Sequence, residues 1–302
     1  MKIDDIKVFS KSINGRIEFD KNIKKTNWFN IGGKSKIFFR PESLNELKDF
    51  LKLYNNRGKI FVIGAGSNVL FTDKNYSGTI IKLGKKFSNF SLLDETTIIA
   101  GSGSMDKNLS EFAKENNIAG FEFLSCIPGS IGGGIRMNAG CFNREIKDIL
   151  VSVQAIDSLG NLITIKADKI NFEYRNSNLQ KNLIFLSGTF RGEKGNKNII
   201  EKKINEMKDK KKKTQPSKIK TSGSTFKNPV KETKKKVWEL IKESVPLDTK
   251  FGDASISKKH CNFFVNENKA KFKHMQKLIN FVKEKVKKKT GVNLELEIIL
   301  VE

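Results

Sequence analysis

A chain of 302 residues carrying 57 Lys and Arg against 33 Asp and Glu, for a formal charge of +24, exceeds the length at which a single core usually splits in two. The excess is lysine, since only Arg16, Arg40, Arg57, Arg136, Arg144, Arg175 and Arg191 supply fork-shaped donors, and its spread over every segment argues against a dedicated nucleic-acid face. Cys126, Cys141 and Cys261 form no C-x-x-C pair and are odd in number, and no run approaches 18 apolar residues, so neither a zinc cluster, a disulfide framework nor a membrane span is indicated.

The N-terminal stretch alternates charged with apolar residues and lacks the apolar centre of a signal peptide, so a soluble, cytoplasmic protein is expected. After this arm, 36-KIFFRP-41 reads as a strand stopped by proline. Ser43-Leu44-Asn45-Glu46 has the capping-box pattern, and Leu44, Leu47, Phe50, Leu51 and Tyr54 fall on one helical face. The apolar run 59-KIFVIG-64 predicts a strand entering the turn 64-GAGSN-68, an α/β beginning. A second helix is predicted through Met105, Leu109, Phe112 and Ala113, and 149-ILVSVQAIDSLGNLITI-165 reads as a hairpin around Ser158-Leu159-Gly160-Asn161. The lysine-laden stretch 197–216 predicts a linking helix that stops at Pro216. Helices are predicted at 235–244 and 271–291, the latter ended by Gly291, and a last strand over 294–301.

Two glycine-containing turns carry the first functional signal. Gly64-Ala65-Gly66-Ser67-Asn68 follows a strand, where exposed backbone N–H groups can receive phosphate oxygens. It fails as a dinucleotide fingerprint, because Val69 stands where the third glycine belongs. The second stretch, 129-GSIGGGIRMNAG-140, puts glycine at 129, 132, 133, 134 and 140, and close approach of backbone to a bulky ligand is the plainest reason for that density. No GK[ST] follows, so a P-loop is excluded. Two such turns suggest a dinucleotide clasped outside the Rossmann pattern.

The ordered set 28-WFNIGG-33, 62-VIGAGSNVL-70, 127-IPGSIGGGIRMNAG-140, 173-EYRNS-177, 223-GSTFKNP-229, 259-KHCNFFVN-266 and 294-LELE-297 resembles the UDP-N-acetylenolpyruvoylglucosamine reductases over nearly the whole chain. The modest separation of Arg175 from Ser224 is similar to the class without a substrate-covering tyrosine loop. The resemblance implies an α+β fold: a two-part FAD-binding module of the vanillyl-alcohol-oxidase (PCMH) type, then a smaller α+β substrate-binding domain. The corresponding plan is an arm over 1–20, the FAD-binding domain over 21–195, a lysine-rich linker helix over 196–216 and the substrate domain over 217–302. It also implies FAD as cofactor, NADPH as hydride donor and UDP-N-acetylglucosamine enolpyruvate as substrate. No nucleic-acid or membrane partner is implied, and a monomer is expected.

By the same resemblance Ile63, Gly64, Ala65, Gly66, Ser67, Asn68, Pro128, Gly129, Ser130, Gly132, Gly133, Asn138, Ala139 and Gly140 would contact FAD, and Tyr174, Lys227 and Asn228 the substrate. Ser224 matches the proton donor, general-acid work that needs no histidine-activated nucleophile. From spacing alone, a turn serine capping a backbone N–H is the plainer reading. Arg175 matches the arginine that steadies a growing enediolate, and Glu297 the second glutamate of the ending. On a strand Glu295 and Glu297 share a face, so only the motif chooses between them. Where the family carries a basic residue after that ending, this chain has Ile298-Ile299-Leu300. The rival readings are another FAD-dependent oxidoreductase on the same module and a lysine-rich nucleic-acid-binding protein, the latter colourless and retained on DNA in a salt-sensitive way.

Overall fold

In the computed structural model, which describes residues 3–302, the chain forms two compact units that interleave along the sequence. The first takes the chain up to Lys21, then Ser35–Ala65 and Ser77–Asp209; the second takes Asn22–Lys34, Gly66–Tyr76 and Lys210–Glu302. Residues 1 and 2 of the expected arm lie outside the described residues. From residue 3 the arm is structured, as the helix Ile3–Phe9 and the start of the strand Arg16–Asn22.

The first unit has two halves, each with its own core. In one, a four-stranded sheet runs in the order Arg16–Asn22, Lys34–Arg40, Tyr76–Ile81, Ile60–Val62. The helix Leu44–Tyr54 buries Leu47, Phe50, Leu51 and Tyr54 with Ile37 and Phe39 of the sheet, as the helical spacing requires. Ser43 caps that helix by accepting from Glu46 N–H, but the reciprocal half of the box is diverted. The buried Glu46 carboxylate takes the N–H groups of Asn14, Gly15 and Glu42 instead, tying the N-terminal segment to the helix start.

In the other half, five antiparallel strands stand in the order Leu162–Lys166, Leu150–Ile156, Ile184–Arg191, Thr97–Gly101, Phe90–Leu92. The expected hairpin is present, with Ile156 facing Leu162 and the Asp157 carboxylate receiving the N–H groups of Leu159 and Asn161. The helices Asp106–Glu115 and Ile131–Met137 supply Leu109, Ile131 and Ile135 to a core shared with Ile98 and Phe190. The glycine-dense stretch is therefore a helix rather than a turn, despite glycine's poor helix propensity. Packing overrides propensity here. A Cβ on Gly132 would stand 3.1 Å from Ser102 Cβ, and one on Gly134 3.0 Å from Asp106 Oδ1, so these two glycines admit the chain's own 102–106 segment. Gly133 alone of the three is exposed.

The second unit sets the helices Val237–Ser244 and Phe272–Thr290 against the three-stranded sheet Lys250–Phe251, Ala254–Ile256, Phe264–Asn266. Phe272, Met275, Leu278, Ile279 and Val282 are buried, and Gly291 ends the long helix in left-handed backbone at φ 77°. The last strand is shorter than expected, Ile299–Val301, and pairs in parallel with Val69–Phe71. That pairing, with Phe29, Ile31 and Leu70 in one core with Phe226, Leu240 and Met275, is why 22–34 and 66–76 belong to this unit. The lysine-laden helix Lys197–Thr214 carries the chain out of the first unit into the second. Among the described residues no helix is long and apolar enough to cross a membrane.

Candidate active site

In the first unit, Gly64 lies against the start of the glycine helix. A Cβ there would stand 2.0 Å from the Ser130 hydroxyl, so only glycine permits the approach. Ser130 accepts from Gly133 N–H at 3.4 Å, which leaves its own proton to donate. Among the described residues, the N–H groups of Gly64, Ala65, Gly129 and Ser130 reach no protein acceptor. Backbone donors without acceptors beside a hydroxyl suit phosphate oxygens, so these residues fit the charged middle of a dinucleotide such as FAD. Pro128 is exposed at the rim, while Ile63 is buried and donates its N–H to Ile81.

Gly66 works differently. It sits at φ 71°, and a Cβ would lie 2.2 Å from Thr26 O and 2.8 Å from Asn27 Cα, both backbone atoms of the second unit. Trp28 N–H donates to Gly66 O, so the 28-WFNIGG-33 motif buttresses this turn. Gly66→Ala is expected to lower stability by more than about 2 kcal/mol, left-handed strain plus overlap. Gly223→Ala, at φ 75° with nothing within 4 Å, should show only the strain, about 1 kcal/mol. Urea unfolding midpoints of the two variants check the difference, and equal losses would refute it.

Two residues expected beside the cofactor spend their side chains elsewhere. Asn138 is fully buried in left-handed backbone at the end of the glycine helix. Its amide donates to Glu145 Oε2 and Glu173 O, both at 3.0 Å, and accepts from Lys147 N–H, so both its donors are used inside the protein. The Asn68 side-chain amide, in the second unit, donates to Glu297 O at 2.9 Å, and the Asn68 backbone carbonyl accepts from Ile299 N–H, which fixes the C-terminal segment. Ala139 N–H closes onto Gly134 O, and Gly140 O receives Arg175.

The segment bearing Tyr174 and Arg175 is stapled to the glycine helix. Arg136, on the last turn of that helix, donates to the carbonyls of Leu179, Gln180 and Leu183 and stacks on Phe185. Burial draws its pKa down to about 10, still far above neutrality. Ser177 donates back to Arg136 O through both its N–H and its hydroxyl. Behind the helix, the wholly buried Asp106 has no partner for either carboxylate oxygen among the described residues, and desolvation pushes its pKa up to about 8. Arg136 lies within the motif 127-IPGSIGGGIRMNAG-140, which assigns it no role, and Asp106 and Glu145 carry no motif signal.

In the second unit, residues 224–227 run between two neighbouring segments. Ser224 bridges Phe263, Thr225 N–H donates to Asn262 O, and the Asn262 side chain bonds both backbone groups of Phe226. On the other side Glu297 N–H donates to Thr225 O and Lys227 N–H to Glu295 O. Ser224 and Glu297 thus lie on adjacent, backbone-paired strands of chain. The Ser224 hydroxyl is partly buried and, among the described residues, bonds to no protein group, so it caps no turn. Glu295 and Glu297 are distinguished by environment: Glu295 is exposed and 3.8 Å from Lys227, whereas Glu297 is partly buried. Asn228 Oδ1 accepts from Val237 N–H and starts the following helix. His260 accepts from Asn262 N–H and packs edge-on against Phe263, a turn and packing role.

Comparison with known proteins fits this arrangement. The description "UDP-N-acetylenolpyruvoylglucosamine reductase, C-terminal domain" matches residues 215–301, and "FAD binding domain" matches residues 35–166. The UDP-N-acetylenolpyruvoylglucosamine reductase of Pelagibacter ubique is 59% identical over 298 residues, 99% of each chain. The chain belongs to the UDP-N-acetylenolpyruvoylglucosamine reductase family. The Rickettsia conorii reductase is 43% identical over 95% of this chain and 96% of its own. The crystal structure of the Thermus caldophilus reductase superposes with a TM-score of 0.81 at 26% identity, covering 96% of this chain and all of that one. As a member of this reductase family the protein is an FAD-dependent oxidoreductase of α+β fold, its FAD-binding domain followed by the reductase C-terminal domain.

Proposed function

We propose that the protein reduces UDP-N-acetylglucosamine enolpyruvate to UDP-N-acetylmuramate with NADPH, a step of peptidoglycan precursor synthesis in the cytoplasm. The chemistry that FAD supplies when bound is the relay of a hydride from NADPH to the terminal carbon of the enolpyruvyl ether. The protein's own task is the charge and the proton. Hydride addition leaves negative charge on the adjacent carbon and its carboxylate. Arg175 receives that charge through its guanidinium, with Tyr174, Lys227 and Asn228 holding the substrate. The Ser224 hydroxyl donates its proton to the adjacent carbon, and Glu297 returns a proton toward the serine. One hydride and one proton thereby cross the double bond, and the enol ether becomes a lactyl ether.

The observation that carries the assignment is the Ser224 hydroxyl: partly buried, without a protein partner among the described residues, and on the segment paired with that of Glu297. A hydroxyl left unspent in a packed segment is available for general-acid work. The yellow, FAD-loaded protein should oxidise NADPH when the enolpyruvyl substrate is added, yielding a product two mass units heavier than that substrate. Protein that stays colourless with added FAD, or consumes no NADPH with substrate present, would refute the proposal.

A further inference from the structure

We propose that Glu145 is the positioning residue of Arg175, and that the two form a closed circuit with Asn138 and the turn Glu173–Asn176. Arg175 stands in that turn, where Glu173 and Asn176 exchange both backbone hydrogen bonds at 2.8 and 3.2 Å. Its φ is 60°, a left-handed conformation that glycine adopts freely and a long side chain seldom does. A strained residue persists when its surroundings over-determine it, and such residues concentrate at functional sites. Here the surroundings can be named.

The guanidinium turns back toward 138–145, where Nη2 donates to Gly140 O at 2.9 Å and Nη1 lies 3.5 Å from Glu145 Oε1. One of its faces covers the Tyr174 ring at 4.8 Å. The other Glu145 oxygen, Oε2, accepts from Asn138 at 3.0 Å and lies 3.2 Å from Lys147 Nζ. Asn138 also donates to Glu173 O, the carbonyl that begins the arginine's own turn, and accepts from Lys147 N–H. The circuit runs from the end of the glycine helix through Glu145 to Arg175, through its turn to Glu173 and back to Asn138. Each member is held by two others. An arginine has four rotatable side-chain bonds, so fixing its guanidinium takes contacts on more than one edge. Glu145 supplies the charged one, at 19% side-chain exposure against 17% for Arg175, where a charge-assisted contact holds direction better than on an open surface.

Glu145 is therefore expected to act on the substrate through Arg175 without touching it. This rests on the reading of Arg175 as the charge-stabilising group, so the experiment carries Arg175→Ala beside it. Stopped-flow absorbance would follow two half-reactions separately: reduction of the flavin by NADPH, and its reoxidation by the enolpyruvyl substrate. Glu145→Ala is expected to slow reoxidation on the order of 100-fold, the effect of a catalytic group displaced by about 1 Å, and to leave reduction near the wild-type rate. Glu145→Gln, which keeps an acceptor oxygen and the side-chain shape, should recover part of that loss. Should the alanine variant fail to fold, the glutamine variant decides, with a reoxidation rate about tenfold below wild type expected. In the double variant the two losses should not add, because Glu145 has nothing to position once Arg175 is gone.

Wild-type reoxidation in the Glu145 variants with a slow Arg175→Ala would overturn the positioning role and leave Arg175 its part. Wild-type reoxidation in Arg175→Ala would overturn both. Equal slowing of the two half-reactions, or full additivity in the double variant, would reduce Glu145 to a structural residue and overturn the proposal as well.

Discussion

Ser224→Ala is expected to leave NADPH able to reduce the bound flavin while substrate-driven reoxidation falls by roughly 10²–10⁴-fold, the usual worth of a positioned general acid. The two halves of the reaction ask different things of this residue. Reduction by NADPH moves no proton to the enolpyruvyl carbon, so it does not need the hydroxyl. Reoxidation does. Because the Ser224 hydroxyl bonds to no protein group among the described residues, its removal breaks no internal hydrogen bond. Stability should therefore hold, and the kinetic loss can be read as chemistry. Rapid mixing of the NADPH-reduced variant with substrate provides the measurement. Reoxidation within threefold of wild type would exclude Ser224 as the donor.

Asp106→Asn is expected to change how stability depends on pH. Asp106 is fully buried, burial alone lifts its pKa from 3.8 to about 8, and neither oxygen finds a partner among the described residues. Between those values the folded protein keeps a proton that the unfolded chain has released, so the folded state binds more protons and stability falls as pH rises. The loss accumulates from about pH 4 to about pH 8, and at pH 7 it is on the order of 4 kcal/mol. Asparagine has the same shape and no proton to lose. The stability of the variant relative to wild type should climb with pH by up to about 1.4 kcal/mol per unit and level off above pH 8. Urea unfolding of both proteins at pH 5, 6, 7 and 8 measures this, and a difference that stays constant across the series would refute it.

What could be read from the sequence divides along the range of the interactions that decide each element. The Ser43 cap, the Gly291 stop, the hairpin around Ser158–Asn161 and the buried face of the long C-terminal helix rest on residues a few positions apart, where spacing is informative. The glycine helix was not legible, because Gly132 and Gly134 read locally as breakers and become helical through Ser102 and Asp106. Glu46 shows the same limit within a motif: the box pattern was present, yet its carboxylate serves Asn14 and Gly15. In the candidate site, the motifs pointed to Arg175, Ser224 and Glu297, whereas alternation left Glu295 and Glu297 equivalent. Their separation came from Lys227, Thr225 and Asn68, which no period relates to the C-terminal segment. Glu145 stands 30 positions from Arg175 and belongs to no pattern of residue types that would link them.

The interleaving of the two units has a consequence for synthesis on the ribosome. The second unit takes two pieces from the first quarter of the chain, yet Asn68 waits for Glu297, 229 positions later, and Val69–Phe71 for the closing strand Ile299–Val301. At about 5–20 residues per second that wait lasts roughly 10–50 s. During it, Phe29, Ile31 and Leu70 have only part of the core they occupy in the finished protein. A nascent chain of this design must therefore shelter an apolar patch while the intervening residues are made, and completes its second unit only after Ile299–Val301 has left the exit tunnel.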